Sequence, residues 1–355
     1  MRFLSVVSLL LLYPHSYGQV ILDADGPGNT YDLITSVLAP GYSPIEVPDC
    51  NHTQFGNHID EVFDPELNTN VFRFFIHVTP DNDRCLNLDR QRNEIKAYDK
   101  SPESLLGIQN EKVVYKWKFK LASGFQSSPN FTHLHQLKSV GGPLASMPMY
   151  TLTTRKGSPD RLELRYAQTD TQVTLAHTDL LPLIDTWLEV TETIEYGVSG
   201  TYTIEIEKVS DSSILFSYSN NNIVNWRQDA DFVRPKWGIY RSLQNAQDLR
   251  DENVLFANFS VEEINTLSLN TSELNRDEFF IYPNPVKNRV QLMNIPERAD
   301  FIGIYSLDGR KIIDKTINYS TDKSLDVSTL SQGSYILKIT GRQLNRSKLI
   351  LISNK

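Results

Sequence analysis

Thr201-Tyr202-Thr203-Ile204-Glu205-Ile206-Glu207 alternates polar and apolar side chains at every step. Successive residues of a strand point to opposite faces. This stretch therefore has one face for a core and one for water. Lys116-Trp117-Lys118-Phe119-Lys120 repeats the pattern. Segments 113–121, 131–138, 149–154, 161–166, 186–196, 213–218 and 236–242 are of the same kind, rich in β-branched and aromatic residues. Turn-forming residues separate them at 123–124, 141–142, 156–159, 197–200 and 219–222. Helical spacing is confined to short pieces, Tyr31–Leu38 and Ser101–Leu106. Many short antiparallel strands at this spacing predict an all-β chain whose main body is a jelly-roll sandwich.

The chain has 355 residues, room for two or three domains. Met1-Arg2, the apolar run Phe3–Leu12 and small residues up to Gly18 read as a secretory signal peptide, with the mature chain starting near Gln19. The alternative, a membrane anchor, requires about 20 apolar residues, and this run is shorter. No other stretch is long and apolar enough to span. In an exported protein, Cys50 and Cys85 are expected to form a disulfide. Closing a loop of that length stabilises by about 3–4 kcal/mol on the chain-entropy account.

The formal net charge is −8, yet residues 278–355 hold 12 Lys+Arg against 7 Asp+Glu, so the body is strongly acidic. An acidic body does not draw in nucleic acid or anionic lipid over long range. An anionic substrate then depends on a local cluster of cations. A monomer is expected. Residues 19–264 form the body, 265–277 (Asn, Thr, Ser and Leu) read as a linker, and 278–355 form a second β unit.

That second unit holds Tyr282-Pro283-Asn284-Pro285, Tyr305-Ser-Leu-Asp-Gly309-Arg310 and Gly333-Ser-Tyr335-Ile-Leu-Lys338. The three motifs resemble the C-terminal sorting domain of the Bacteroidetes type IX secretion system. The alternative is a carbohydrate-binding sandwich. The resemblance implies passage across the outer membrane by the type IX machinery, then release or retention at the cell surface, with no part in catalysis.

Three stretches of the body concentrate chemistry. In Arg90-Gln-Arg92-Asn-Glu94-Ile-Lys96, three cations and one carboxylate share a strand face. That is costly to bury and suits a groove for anions; a solvated face of ion pairs is the plainer reading. In His133-Leu134-His135-Gln136-Leu137-Lys138, alternation puts the two histidines on one face and Gln136 and Lys138 on the other. Core packing and Zn²⁺ binding are the rival readings of such a pair, although no third His or Cys stands at a telling spacing. In Lys236-Trp237-Gly238-Ile239-Tyr240-Arg241, Lys236 and Tyr240 share a face, and Gly238 between them leaves room for a ligand against the sheet.

The order Arg-x-Glu-x-(Arg/Lys), (Gln/His)-x-His, Lys-x-Gly-x-Tyr resembles the jelly-roll alginate lyases of polysaccharide lyase family seven. Lys96 stands where that family usually has Arg, and His133 where it has Gln. These departures argue against alginate itself. Taken with the sorting unit, the chain is most similar in character to the secreted ulvan lyases of marine flavobacteria. The resemblance implies an endo-acting β-elimination on a uronate-containing algal polysaccharide. Arg92 would neutralise the substrate carboxylate with Lys96 beside it. His135 would be the base and Tyr240 the acid, or Tyr240 both. Glu94, His133, Lys236, Arg165 and Arg241 would line the substrate site. The chemistry requires no cofactor.

Asp23-Ala24-Asp25-Gly26 is part of a calcium-loop pattern and marks Asp23 and Asp25 for a structural Ca²⁺. Two rival functions remain. A glycoside hydrolase needs paired catalytic carboxylates, and the laminarinase-like Glu-x-Asp-x-x-Glu pattern is missing. A non-catalytic lectin needs aromatic platforms, for which Trp226 and Tyr166 are candidates, with Trp237 better suited to the core.

Overall fold

The computed structural model describes residues 19–264 and, between 279 and 353, all except 294, 296–298, 308, 318–323 and 342–343. The expected signal peptide (1–18) and linker (265–277) lie outside the described residues. The chain divides into two units, residues 1–266 and 267–355. No described helix is long and apolar enough to cross a membrane.

The first unit is an antiparallel sandwich of the jelly-roll type. Among the described residues, one sheet runs in the order Ile214–Ile223, Gly200–Lys208, Leu188–Glu195, Lys112–Leu121, Glu252–Ile264, Thr69–Ile76, Ile59–Asp64, with Gln19–Leu22 also paired to Glu252–Ile264. The facing sheet runs Val173–Asp179, Arg161–Tyr166, Tyr150–Arg155, Thr132–Val140, Phe232–Ser242, Arg90–Lys96, Ile45–Glu46. The alternation seen in the sequence sorts their faces. Trp117 and Phe119 are buried, while Lys118 and Lys120 face outward to Glu189 (3.6 Å) and Glu66 (2.9 Å). Between the sheets, Trp237 meets Trp117 edge-on at 6.2 Å and Phe259 at 5.2 Å. Each such side chain contributes about 1.5–3 kcal/mol on burial.

Helix is scarce, as the sequence predicts. Thr30–Leu38 is an α-helix with Ile34 and Leu38 buried, and 101–106 shortens to a 3₁₀ turn at Glu103–Leu105. Cys50 and Cys85 are bonded, with Cα atoms 6.3 Å apart.

The second unit buries its own core of Val290, Ile302, Ile304, Leu337, Ile339 and Ile350. Its motifs have local structural reasons. Asn284 donates to the Leu349 carbonyl at 2.8 Å and accepts from the Leu351 amide at 2.7 Å, tying the start of the unit to its last strand. Gly309 adopts φ +87° in the turn between Ala299–Ser306 and Lys311–Thr316. A side chain is strained in that conformation.

Candidate functional site

The three chemically loaded stretches are adjacent strands of one sheet. Phe232–Ser242 is central, flanked by Arg90–Lys96 and Thr132–Val140. Tyr240 lies opposite both Arg92 and His133, and Lys236 opposite both Lys96 and Gln136. The outer face of these strands therefore gathers Arg92, Glu94, Lys96, Lys236, Tyr240 and His133.

Two carboxylates organise the cations. Glu94, fully buried, accepts from Arg92 at 2.5 Å and from Lys236 at 2.7 Å, and also from the Gln136 amide. Glu46 reaches in from the short edge strand to Lys236 (2.5 Å), Lys96 (2.9 Å) and Arg84 (2.7 Å). Burial alone would raise both carboxyls. Lys236 and Arg92, joined at Glu46 by Lys96, overcome it and hold both below the usual carboxylate range. Asp83 completes the frame by accepting from Arg92 Nε at 2.8 Å.

Tyr240 stands between two guanidinium groups. Arg92 stacks over its ring at 3.7 Å, and Arg90 donates to its hydroxyl at 3.1 Å. Burial raises the phenol above its ordinary value, while Arg92 and Arg90 pull the other way. His133 packs beside it, ring centres 5.8 Å apart, and stacks on Phe131 at 4.8 Å. Its Nδ1 is buried with no hydrogen-bond partner. Burial, with Arg155, Arg92 and Lys236 nearby, lowers His133 to about 3. The ring is neutral near pH 7.

Several expectations are corrected. His133 and His135 do not share a face. The pairing with Tyr150–Arg155 slips between His133 and His135, so Leu134 joins the core cluster and His135 turns inward with it. His135 packs at 4.4 Å on Trp117, and its Nε2 sits 2.8 Å from Glu192, both groups buried between the sheets. The same irregularity, a β-bulge, brings Gln136 to the outer face with Lys138, beside His133 rather than opposite it.

Gly238 serves the backbone, not a ligand. At φ +144°, an added Cβ would lie 2.1 Å from the Asn93 carbonyl oxygen of the neighbouring strand. Arg241 faces inward, fully buried, donating to Gln91 at 2.8 Å and to the Arg250 carbonyl at 2.9 Å, away from the outer face. Arg165 does share the outer face, two strands further along, paired with Glu163 at 3.1 Å. Tyr166 is buried with its hydroxyl on the Val224 carbonyl.

Glu46, Asp83 and Gln136 were not foreseeable from local pattern. Glu46 lies in a two-residue strand, too short for any periodicity. Asp23 accepts from Asn258 at 2.9 Å. Among the described residues, the one group of three or more potential metal-ligating side chains lies elsewhere, at His52, His58, His77 and Asp81.

Comparison with known proteins adds three findings. The family described as the secretion system C-terminal sorting domain matches residues 280–353. The second unit is thus a sorting domain, and the chain is directed outside the cell or to its surface. No curated protein sequence matches the chain. Solved structures that match the chain include an endo-β-1,4-glucuronan lyase from the fungus Trichoderma reesei, at 15% identity and TM-score 0.43, covering 68% of this chain and 94% of that one. A marine PL-14 alginate lyase from Aplysia kurodai is 12% identical with TM-score 0.48, covering 69% and 98%. A family 7 alginate lyase, A1-II′, solved with a bound substrate, is 12% identical with TM-score 0.43, covering 64% and 97%.

Proposed function

We propose that the first unit is a secreted polysaccharide lyase that cleaves an anionic, uronate-containing glycan by β-elimination. Among such glycans we place ulvan first, on the resemblance of the body taken together with its sorting unit. The observation that carries the reading is the buried Tyr240 phenol held between Arg90 and Arg92 on a face lined by further cations.

A uronate lyase removes the C5 proton and breaks the C4–O4 bond. The electron pair of that bond leaves on O4, which gains a proton, and a C4=C5 double bond forms. The C5–H bond beside an ionised carboxylate is a very weak acid, so the main demand is to stabilise charge developing on the carboxylate. Arg92, with its planar fork of donors, meets that demand, with Arg90 beside it. Lys138 and Arg234 extend the cationic face, and among the described residues neither has an ion-pair partner.

Tyr240 carries the proton in both directions. Burial keeps the resting hydroxyl protonated, and the minor phenolate fraction that the Arg90 hydrogen bond and the Arg92 charge sustain takes the proton from C5. The resulting phenol gives it to O4. His133, at about 3, is too weak a base at neutral pH, where general bases work best with values near the operating pH. It contributes a neutral hydrogen bond to the substrate. His135, inside the core, supports the sheet.

The test is incubation of the full chain with ulvan, glucuronan and alginate, following both the ultraviolet absorbance of the unsaturated uronate and the reducing ends. A lyase raises both together. Reducing ends without absorbance would make it a hydrolase, and binding without either would make it a lectin.

A further inference from the structure

Three of the seven histidines converge outside the face described above. One ligating atom from each of His52, His58, His77 and Asp81 lies within 4.8 Å of all the others. Asp81 is at the centre. Its Oδ1 is 2.8 Å from His52 Nδ1 and 3.2 Å from His58 Nε2, and its Oδ2 is 3.0 Å from His77 Nδ1.

We propose that this cluster binds one divalent transition-metal ion, Zn²⁺ by its donor set, through His52 Nδ1, His58 Nε2, His77 Nδ1 and an Asp81 oxygen. Three imidazoles and a carboxylate make a four-donor site suited to zinc and poorly suited to Ca²⁺ or Mg²⁺, which take oxygen ligands. Tetrahedral zinc with bonds of about 2.0–2.1 Å places its donors about 3.4 Å apart. The Asp81–histidine spacings of 2.8, 3.2 and 3.0 Å open slightly to reach it, and the wider spacings, none above 4.8 Å, close.

The surroundings are built to hold the ligands. His58 is fully buried, and its Nδ1 is engaged by Asp49 Oδ1 at 2.7 Å. Asp49 is held in turn by the Tyr31 hydroxyl at 2.8 Å. A carboxylate on the far nitrogen orients a ligating imidazole and selects the tautomer whose other nitrogen faces the metal. Asp81 Oδ2 accepts the His77 backbone N–H at 2.7 Å, and the Gln91 amide bonds the carbonyls of both His77 and Asp81. Phe55 covers the histidines, 4.4 Å from the His77 ring and 4.8 Å from His58. The Cys50–Cys85 bond ties the segment holding Asp49, His52 and His58 to the loop after Asp81.

The ion's role is structural. Two residues beyond Asp81, Asp83 grips Arg92, and the Asn82 carbonyl accepts the Arg92 N–H at 3.3 Å. Metal at Asp81 therefore anchors the loop that supports Arg92 without touching the outer face itself.

The experiment uses the purified full chain, stripped with dipicolinate and then given Zn²⁺, Ca²⁺ or Mg²⁺. Retained metal and melting temperature are measured together. The expected result is about one equivalent of zinc per chain. Stripping should lower the melting temperature, and Zn²⁺ alone should restore it. Co²⁺ in place of zinc should give the intense visible absorption of a tetrahedral site, a readout independent of any variant. His52→Gln, at the partly exposed ligand, should abolish stoichiometric retention while leaving a folded chain. No retained zinc, with a melting temperature indifferent to both chelator and Zn²⁺, overturns the proposal. So does restoration by Ca²⁺. Lyase activity enters neither outcome, so this proposal and the functional reading stand or fall separately.

Discussion

The guanidinium carbon of Arg92 lies 3.7 Å from the centre of the Tyr240 ring, while Asp83 and Glu94 hold that guanidinium from its other edges at 2.8 and 2.5 Å. The contact couples the group proposed to meet substrate charge to the group proposed to move the proton. A cation over a desolvated aromatic face is worth about 2 kcal/mol, and its attraction grows when the phenol ionises. Arg92 and Arg90 thus pull toward the phenolate, while burial outweighs them and keeps the phenol above its ordinary value.

Tyr240→Phe keeps the ring, the stacking and nearly all the buried area, and removes the hydroxyl alone. If that hydroxyl carries the proton, turnover on the best uronate substrate falls at least ~10²-fold, the lower range for general acid–base catalysis. Melting temperature changes little, because Arg90 keeps its bonds to Asp89. Normal turnover with a stability loss of about 1 kcal/mol would make Tyr240 a packing residue instead.

His133→Gln and His135→Gln separate the two histidines. Glutamine at 133 preserves a neutral hydrogen-bonding group, so that variant should retain most of its turnover, whereas His133→Ala should lose it roughly 10-fold or more. A His133→Gln enzyme as dead as Tyr240→Phe would show that the imidazole is the base. His135→Gln should leave turnover per folded molecule unchanged. It should cost about 1–3 kcal/mol in chemical denaturation, the loss expected when a buried hydrogen bond to Glu192 is disturbed, with Tyr202 still donating to that carboxylate at 2.6 Å.

The strands were legible because alternation is a local property. Thr201–Glu207 and Lys116–Lys120 state their own faces, and Trp117 lies inside as its position requires. The order of the three loaded strands in the sheet was not legible, yet it is what turns three motifs into one face. The histidine assignment failed at a single step. Alternation breaks at the irregularity between His133 and His135, and one extra residue exchanges the faces of everything beyond it. Gly238 marks a close approach, but of the Asn93 carbonyl and not of the ligand its place between Lys236 and Tyr240 suggests. Glu46 and the His52–His58–His77–Asp81 group depend on contacts between distant segments, which no local period announces.

Lys138 should give the proposed substrate face a pH dependence. Burial, together with Lys236 and Arg234 nearby, lowers its ammonium to about 8. Below that pH it is charged, and above it the face loses one cation. KM for an anionic polysaccharide should therefore rise as the pH passes about 8, with kcat less affected. Lys138→Arg keeps its charge well above that pH and should flatten the rise. Parallel KM–pH profiles of the wild-type and Lys138→Arg enzymes at constant ionic strength make the comparison, and identical profiles would remove Lys138 from the site.

Glu46 should set the acid limit of stability. Its folded value lies well below the ordinary carboxylate value of about 4.3, held there against burial by Lys236, Arg92 and Lys96. A depressed folded value means that the unfolded chain binds more protons between the two values, so stability rises with pH across that window. The contribution is complete above about pH 5 and is lost as pH falls through the ordinary carboxylate range toward the depressed folded value. Glu94 and Asp83, also lowered against burial by their cation partners, steepen the same decline. Urea unfolding of the wild-type chain should show stability beginning to fall near pH 6.5, as the unfolded chain protonates His133, and falling more steeply below about pH 5. Glu46→Gln starts lower, because Lys96 and Lys236 lose a shared partner, and it should fall less steeply below pH 5. Equal acid slopes for the two proteins would show that Glu46 titrates alike in the folded and unfolded chain, and that its ion pairs do not stabilise the fold.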